Sequence, residues 1–273
     1  DVLSGPVTEP FAAGNMLDLY NYSLPMIFLA AVAVVLAVSE LGWQVGTRSQ
    51  GRGGNNISTL ESGILGLLAL LIGFTFAMAL SRFEARRDAV LNEANAIGTT
   101  ALRARLLPDP YRAESLKLLK QYVQIRVDVV QSGTSLAEMN AAVDRSNVIQ
   151  EALWMQAKAL VEKDNRMVPT GLYIQTLNDM IDDQAKRLSA LRNRVPNLVL
   201  LGLFGIAAVS GGFAGYASGL GARRTRWPVY VLGVLVCGVI LAILDLDRPS
   251  SGFITNNQQV MIDTAASIAA FPE

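Results

Sequence analysis

The stretch ILGLLALLIGFTFAMAL, residues Ile64–Leu80, decides the fold of this chain. It contains no charged residue. Together with Ser62 and Gly63 it has about the 20 residues that a helix needs to cross the hydrocarbon core of a bilayer. A buried helix of a large soluble protein could have a similar composition. Other parts of the sequence are needed to decide between a transmembrane helix and such a buried helix.

Three further stretches have the same length and apolar character. Tyr20 and Tyr22 precede the first of them, and aromatic side chains of this kind are typical of the membrane–water interface. Four such stretches in one chain favour an all-α polytopic membrane protein with four transmembrane helices over a soluble fold. The other three predicted spans are Leu24–Leu41, Val195–Ala217 and Trp227–Leu244.

The composition supports a membrane protein and excludes most kinds of active site. Of the 273 residues, 51% are apolar and 17% are charged, whereas soluble chains carry about 25% charged residues. Basic and acidic residues balance at 23 each, so the net charge does not indicate a nucleic-acid partner. The chain has no histidine, and its one cysteine, Cys237, lies in the fourth apolar stretch. Histidine-based catalysis and Cys/His metal sites are therefore excluded, and we expect no enzymatic activity and no cofactor.

The segment between the second and third spans, residues 81–194, differs in composition from the spans. It holds 17 of the 23 basic and 14 of the 23 acidic residues, and its apolar positions repeat with helical periodicity. We therefore predict a helical extramembrane bundle inserted between the second and third spans. The predicted order is an N-terminal segment (1–23), spans one and two (24–80), the helical domain (81–194), spans three and four (195–244) and a C-terminal tail (245–273).

The second span carries a pattern that is typical of a pore helix. Bulky apolar residues recur at every fourth position, and in an oligomer such a row around an axis would form a narrow hydrophobic constriction. Contact with lipid, or packing against other helices, would explain the same pattern. The predicted pore-lining residues are Ile64, Leu68, Ile72, Phe76 and Leu80.

Two arginines follow this span one helical turn apart. Arg82 and Arg86 would form a ring of positive charge that concentrates anions in a vestibule, although charges that only set membrane topology are an equal alternative. No ionisable residue lies in the central part of any span, which argues against a coupled transporter.

Two shorter motifs lie in and after the last two spans. Gly211, Gly215 and Gly219 have the spacing that lets two membrane helices pack closely. Asp245 and Asp247 follow the fourth span and could bind a metal cation through their oxygens. A salt-bridged cap on the last helix is the alternative, and it is favoured because no further acidic residue has the spacing of a calcium loop.

The order of the elements, together with two stretches of sequence, resembles the bestrophin-like integral membrane family. The stretches are Ser81–Val123, which contains EANAIG and a Leu-Pro turn, and LDLDRPSSGFI, Leu244–Ile254. The resemblance implies kinship with bestrophins, which are pentameric anion channels with a pore lined by the second span. It therefore implies a homo-oligomer, a pentamer by that kinship, that passes small ions through the lipid bilayer. Phe74 and Phe76 resemble the paired aromatic residues of the bestrophin neck.

Charge alone leaves the membrane orientation open. Within about 15–20 residues of the spans, eight basic residues lie on the side of the insert and five in the two short loops, whereas counting short loops alone gives the opposite orientation. The resemblance implies that the helical domain and both termini are cytoplasmic. We expect a multi-pass protein of the bacterial inner (plasma) membrane.

Two functions from different classes are compatible with this sequence. The first is an oligomeric channel for small ions, with anions implied by the resemblance. The second is a non-conducting membrane scaffold or sensor whose helical insert recruits a partner, which is motivated by the 114 residues from Ser81 to Arg194.

Overall fold

The computed structural model describes residues 18–49, 56–131, 136–163, 168–221, 225–249 and 252–272. Within these ranges the chain is helical and has no β-strand, which confirms the predicted all-α class. The α-helices are α1 (Leu24–Arg48), α2 (Asn56–Ala104), α3 (Tyr111–Gln131), α4 (Leu136–Lys163), α5 (Val168–Arg192), α6 (Asn197–Leu220), α7 (Trp227–Asp247) and α8 (Gln259–Ala269).

The four apolar helices expected from the sequence are present. Helices α1 and α7, the first part of α2, and α6 are long and apolar enough to cross a membrane. Prolines mark three of their starts, since Pro25 and Pro228 lie in the first turns of α1 and α7 and Pro196 caps α6. A proline is tolerated there because the first backbone amides of a helix have no intrahelical acceptor.

The chain divides into two compact units, and the first comprises Asp1–Leu80 and Val195–Phe253. Its apolar core forms where α1, α2, α6 and α7 bury side chains against one another. The buried members of this core are Val35, Leu68, Leu203, Ala207, Cys237 and Ile240.

Within this unit, α1 and α6 approach each other closely enough for their backbones to touch. A Cβ atom on Gly215 would lie 2.0 Å from the carbonyl oxygen of Ser39, and one on Gly42 would lie 2.1 Å from that of Gly212. A Cβ on Gly219 would lie 2.5 Å from the carbonyl oxygen of Trp43. The contact therefore requires glycine on both helices, as in the small-residue interfaces of membrane helices.

The second unit comprises Ser81–Arg194 and Ile254–Glu273, and it has a core of its own. The remainder of α2 packs there with α3, α4, α5 and α8. The tail predicted for residues 245–273 includes a helix, α8, and its Met261 and Ile268 are 0% and 1% exposed. The largest buried apolar side chains of this core include Ile97, Leu116, Leu119, Tyr122, Leu153, Tyr173, Leu177 and Met180.

The glycine contact gives a first prediction. Replacing Gly215 with alanine should push α1 and α6 apart, because the added methyl group would overlap the Ser39 carbonyl oxygen. We expect a loss of about 1–3 kcal/mol of stability, as for other overpacked sites, measured as a lower thermal midpoint of the purified protein in detergent. Gly205→Ala is the matched control, because it lies on the same helix and its Cβ would meet no atom within 4 Å. Equal midpoints for the two variants would contradict the close contact.

Candidate functional site

The structure places the predicted pore-lining residues on more than one side of α2. Leu68 is 2% exposed and Ile72 packs against the same core, so both face the chain's own spans. Ile64 is half-buried, while Phe76 and Leu80 are 39% and 37% exposed. The physical reason is geometric. A step of four residues advances about 40° around a helix of 3.6 residues per turn, so a row of five such residues drifts from one face to the next.

The other side of α2 has an apolar face that no part of the described chain covers. Leu70 is 55% exposed and Phe74 is 65% exposed, one turn apart. A Cβ atom on any of the three neighbouring glycines would meet no atom within 4 Å. This uncovered face, defined by Leu70, Phe74, Gly63, Gly66 and Gly73, is the surface available for contact with lipid, with another copy of the chain or with a pore.

The two arginines predicted to form an anion vestibule have different surroundings. Arg82 is half-buried, whereas Arg86 is 2% exposed and lies inside the second unit. In a single chain only Arg82 is therefore partly accessible to an ion in solution.

Next along α2, Glu93 is the centre of a buried charge cluster that pattern analysis did not single out. Its side chain is 0% exposed. Arg126 of α3 contacts it, with 2.8 Å between Nε and Oε1, and Arg187 of α5 does so with 2.6 Å between Nη1 and Oε2. Burial lowers the pKa of the Arg187 guanidinium, and the neighbouring positive charge of Arg126 acts in the same direction. One carboxylate thus holds two guanidinium groups and joins three helices.

Uncharged polar side chains extend the cluster. The Tyr122 hydroxyl donates to Gln184 Oε1 at 2.6 Å, and the Gln150 side-chain amide donates to the same oxygen at 2.8 Å. Burial, with the negative charge of Glu93 as the next cause, raises the pKa of Tyr122. This hydroxyl therefore stays protonated and can donate. The signal available in the sequence was that Glu93 and Arg126 lie next to the apolar stripes of their helices, where a charged residue needs a partner.

The two aspartates after the fourth span form hydrogen bonds with the protein itself. Asp247 is fully buried, and its Oδ2 accepts from the backbone amide of Val195 at 2.7 Å and from the Tyr20 hydroxyl. Asp245 Oδ1 accepts from the backbone amide of Phe253 at 2.9 Å.

Arg248 completes this cap by donating from Nη2 to the carbonyl oxygens of Leu19 and Tyr22, at 3.1 and 2.6 Å. Across the described residues, no group of three or more potential ligands is arranged to hold a metal ion. These hydrogen bonds form a cap that ties the end of α7 to the start of α6 and to the segment before α1, and the metal site at Asp245 and Asp247 stays a prediction.

A second prediction distinguishes the cap from a metal site. Asp247→Ala should leave the buried Val195 amide without its acceptor and lower stability by about 1–3 kcal/mol, measured as a fall in the thermal midpoint. The surface variant Asp263→Ala should change stability by less than about 0.5 kcal/mol, since Asp263 is exposed and accepts one hydrogen bond from Gln259. Calcium should leave the midpoint of the unmodified protein unchanged. A calcium-dependent rise that disappears in Asp247→Ala would instead establish a metal site.

Comparison with known proteins places this geometry in a family. The sequence profile of the Bestrophin-like domain matches residues 27–258, whereas the comparison with curated proteins gave no match. The fold is similar to the crystal structure of a bacterial Bestrophin homolog from Klebsiella pneumoniae, with a TM-score of 0.64 at 14% identity over 90% of this chain and 96% of that chain.

Two crystal structures of a bacterial Bestrophin homolog from Klebsiella pneumoniae with single mutations are also similar. Each has a TM-score of 0.66. The first is 14% identical and the match covers 90% of this chain and 96% of that chain. The second is 15% identical and the match covers 92% of this chain and 100% of that chain. At such identities the likeness shows a common fold and not a common activity. Because the family profile spans most of the sequence, the chain belongs to the bestrophin-like family.

Proposed function

We propose that the protein is a homo-oligomeric membrane channel that conducts small ions, with anions preferred, through an axial pore lined by α2. The observation that carries this proposal is the uncovered face of α2, an apolar surface with Leu70 and Phe74 at its centre. Membership of the bestrophin-like family supports it, because bestrophins are pentameric anion channels whose second span lines the pore. We therefore take a pentamer as the assembly to test.

In such an assembly, the uncovered faces of several α2 helices would surround the axis. Leu70 and Phe74 would form the narrowest part, where a hydrophobic constriction can gate ion flow by losing water. The glycines of the same face have no side chain, so Gly66 would leave the pore wider before the ring of Leu70, and Gly73 would leave open space between the rings of Leu70 and Phe74. Ile64, Leu68 and Ile72 would support the pore helix from behind, with Phe76 and Leu80 between the two faces.

The charged residues suggest where ions would enter. Arg82 comes two residues after Leu80 along α2 and is the accessible member of the predicted vestibule pair. We place the helical domain, residues 81–194, and both termini in the cytoplasm and the four spans in the bacterial inner (plasma) membrane. This orientation agrees with the basic residues near the ends of the insert.

A third prediction tests the pore face. Purified protein in liposomes should release trapped chloride, and Phe74→Ala should raise the rate at least several-fold because it removes the ring at the proposed constriction. The measurement is chloride efflux followed with an ion-selective electrode. Leu29→Ala is a matched control on α1, since Leu29 is 67% exposed and Phe74 65%, and its efflux should equal that of the unmodified protein.

The same experiment can reject the channel. If the folded, oligomeric protein gave no efflux above that of empty liposomes, the non-conducting scaffold or sensor would become the better explanation. If Phe74→Ala and Leu29→Ala raised efflux equally, a conducting protein would remain, but with a pore that is not lined by this face of α2.

A fourth prediction concerns ion preference. A ring of Arg82 side chains would attract anions to the pore entrance, so Arg82→Gln should lower the permeability of chloride relative to potassium. The reversal potential across a planar bilayer with a potassium chloride gradient measures this ratio. Arg103→Gln changes an arginine of the same helix that is half-buried like Arg82 and donates from Nη1 to the Leu172 carbonyl oxygen, and it should leave the ratio unchanged. A cation-selective unmodified protein would overturn the proposed preference for anions while leaving the channel itself in place.

A further inference from the structure

The buried charge cluster of the second unit contains more positive than negative charge. Arg126 and Arg187 are 6% and 5% exposed, and both pair with the single carboxylate of Glu93. Neither guanidinium pairs with a second carboxylate in the part of the chain that the structure describes. The three side chains therefore carry a net charge of +1 in a place where water is largely excluded, and an uncompensated charge is unfavourable there.

A small cavity lies beside this excess charge. Its polar lining residues are Arg126, Gln184 and Arg187, and its apolar ones include Met139, Val143 and Leu188. Its volume is about 20 Å³, which exceeds the roughly 10–15 Å³ needed for one water molecule. The space suits a single atom-sized occupant and is too small for sulfate, phosphate or a carboxylic acid.

Hydrogen-bond donors are in surplus around the cavity. Each guanidinium has five N–H groups. Arg126 donates to Glu93 through Nη2, and its Nε lies 2.8 Å from Glu93 Oε1 without forming a hydrogen bond. Arg187 donates to Glu93 through Nη1 and to Gln258 through Nη2. Ser146 lies on the same face of α4 as Met139 and Val143, and its hydroxyl is fully buried with no hydrogen-bond partner among the described residues. A group that only accepts hydrogen bonds would complement this surface.

We propose that the cavity binds one small monovalent anion of the halide class, held by Arg126 and Arg187. A halide is only slightly larger than a water molecule, carries the one negative charge that the cluster lacks and accepts hydrogen bonds from several directions. A water molecule would fill the same space without offsetting the charge. The bound anion would link α3 and α5 and stabilise the second unit, and this role is independent of whether the protein conducts ions.

Crystals grown or soaked in sodium bromide test the site directly. We expect an anomalous difference peak in the cavity, within hydrogen-bonding distance of both guanidinium groups. Density for water alone at saturating bromide would overturn the proposal. This measurement uses the unmodified protein and does not depend on ion flux, so its failure would be distinct from failure of the channel.

The charge count makes opposite predictions for two variants. With gluconate replaced by chloride at constant ionic strength, the thermal midpoint of the unmodified protein should rise by roughly 3–5 °C for each tenfold increase in chloride above the dissociation constant. Arg126→Gln makes the cluster neutral and should abolish this rise, whereas Glu93→Gln leaves a charge of +2 and should make the rise begin at a lower chloride concentration.

Arg145→Gln is the matched control, because Arg145 is exposed and its Nε donates only to the carbonyl oxygen of Ala141. It should respond to chloride like the unmodified protein. Equal chloride responses in Arg126→Gln, Glu93→Gln and Arg145→Gln would overturn the proposal. If a cluster variant does not fold, the bromide peak in the unmodified protein still decides the question.

Discussion

The backbone contact between α1 and α6 is the constraint on which the first unit depends. Lipid provides no hydrophobic driving force between helices, so membrane helices associate through close packing. Gly42 on α1 and Gly215 on α6 allow that packing because a side chain on either would overlap the opposite carbonyl oxygen. Helix α7 and one side of α2 then bury their side chains in the same core. The other side of α2 is left uncovered by the described residues, and this asymmetry is the basis of the proposed pore.

The second unit is stabilised in a different way. Its core is apolar around Leu116, Leu153 and Leu177, and Glu93 joins α2, α3 and α5 through two buried ion pairs. Such a cluster contributes little net stability by itself, but removal of one partner leaves a buried charge that is strongly unfavourable. The cluster has two guanidinium groups and one carboxylate. An anion from outside the chain is therefore needed to balance its charge, as proposed above.

Several features could be predicted because they depend on local composition. The all-α class and four apolar helices follow from long uncharged stretches, and family membership follows from stretches such as EANAIG. The residues at every fourth position from Ile64 to Leu80 predicted the pore-facing side of α2 less well. Residues spaced by four advance gradually around a helix, so their spacing cannot show which side the other spans cover. Helix α8 was missed because it has only 11 residues in a segment taken as a tail, and its Met261 and Ile268 are buried by contact with helices that are distant in the sequence.

The sequence by itself therefore determined the helices, the number of membrane-spanning candidates and the family, because each helix forms its backbone hydrogen bonds within its own segment and can be recognised from it. Only the tertiary structure decided that Leu68 faces the core while Phe74 is uncovered, that Asp247 accepts hydrogen bonds from Val195 and Tyr20, and that Glu93 meets two arginines. These are relations between residues that lie tens to hundreds of positions apart. Tertiary packing brings these residues into contact, and a local sequence pattern does not show which partner each side chain will contact.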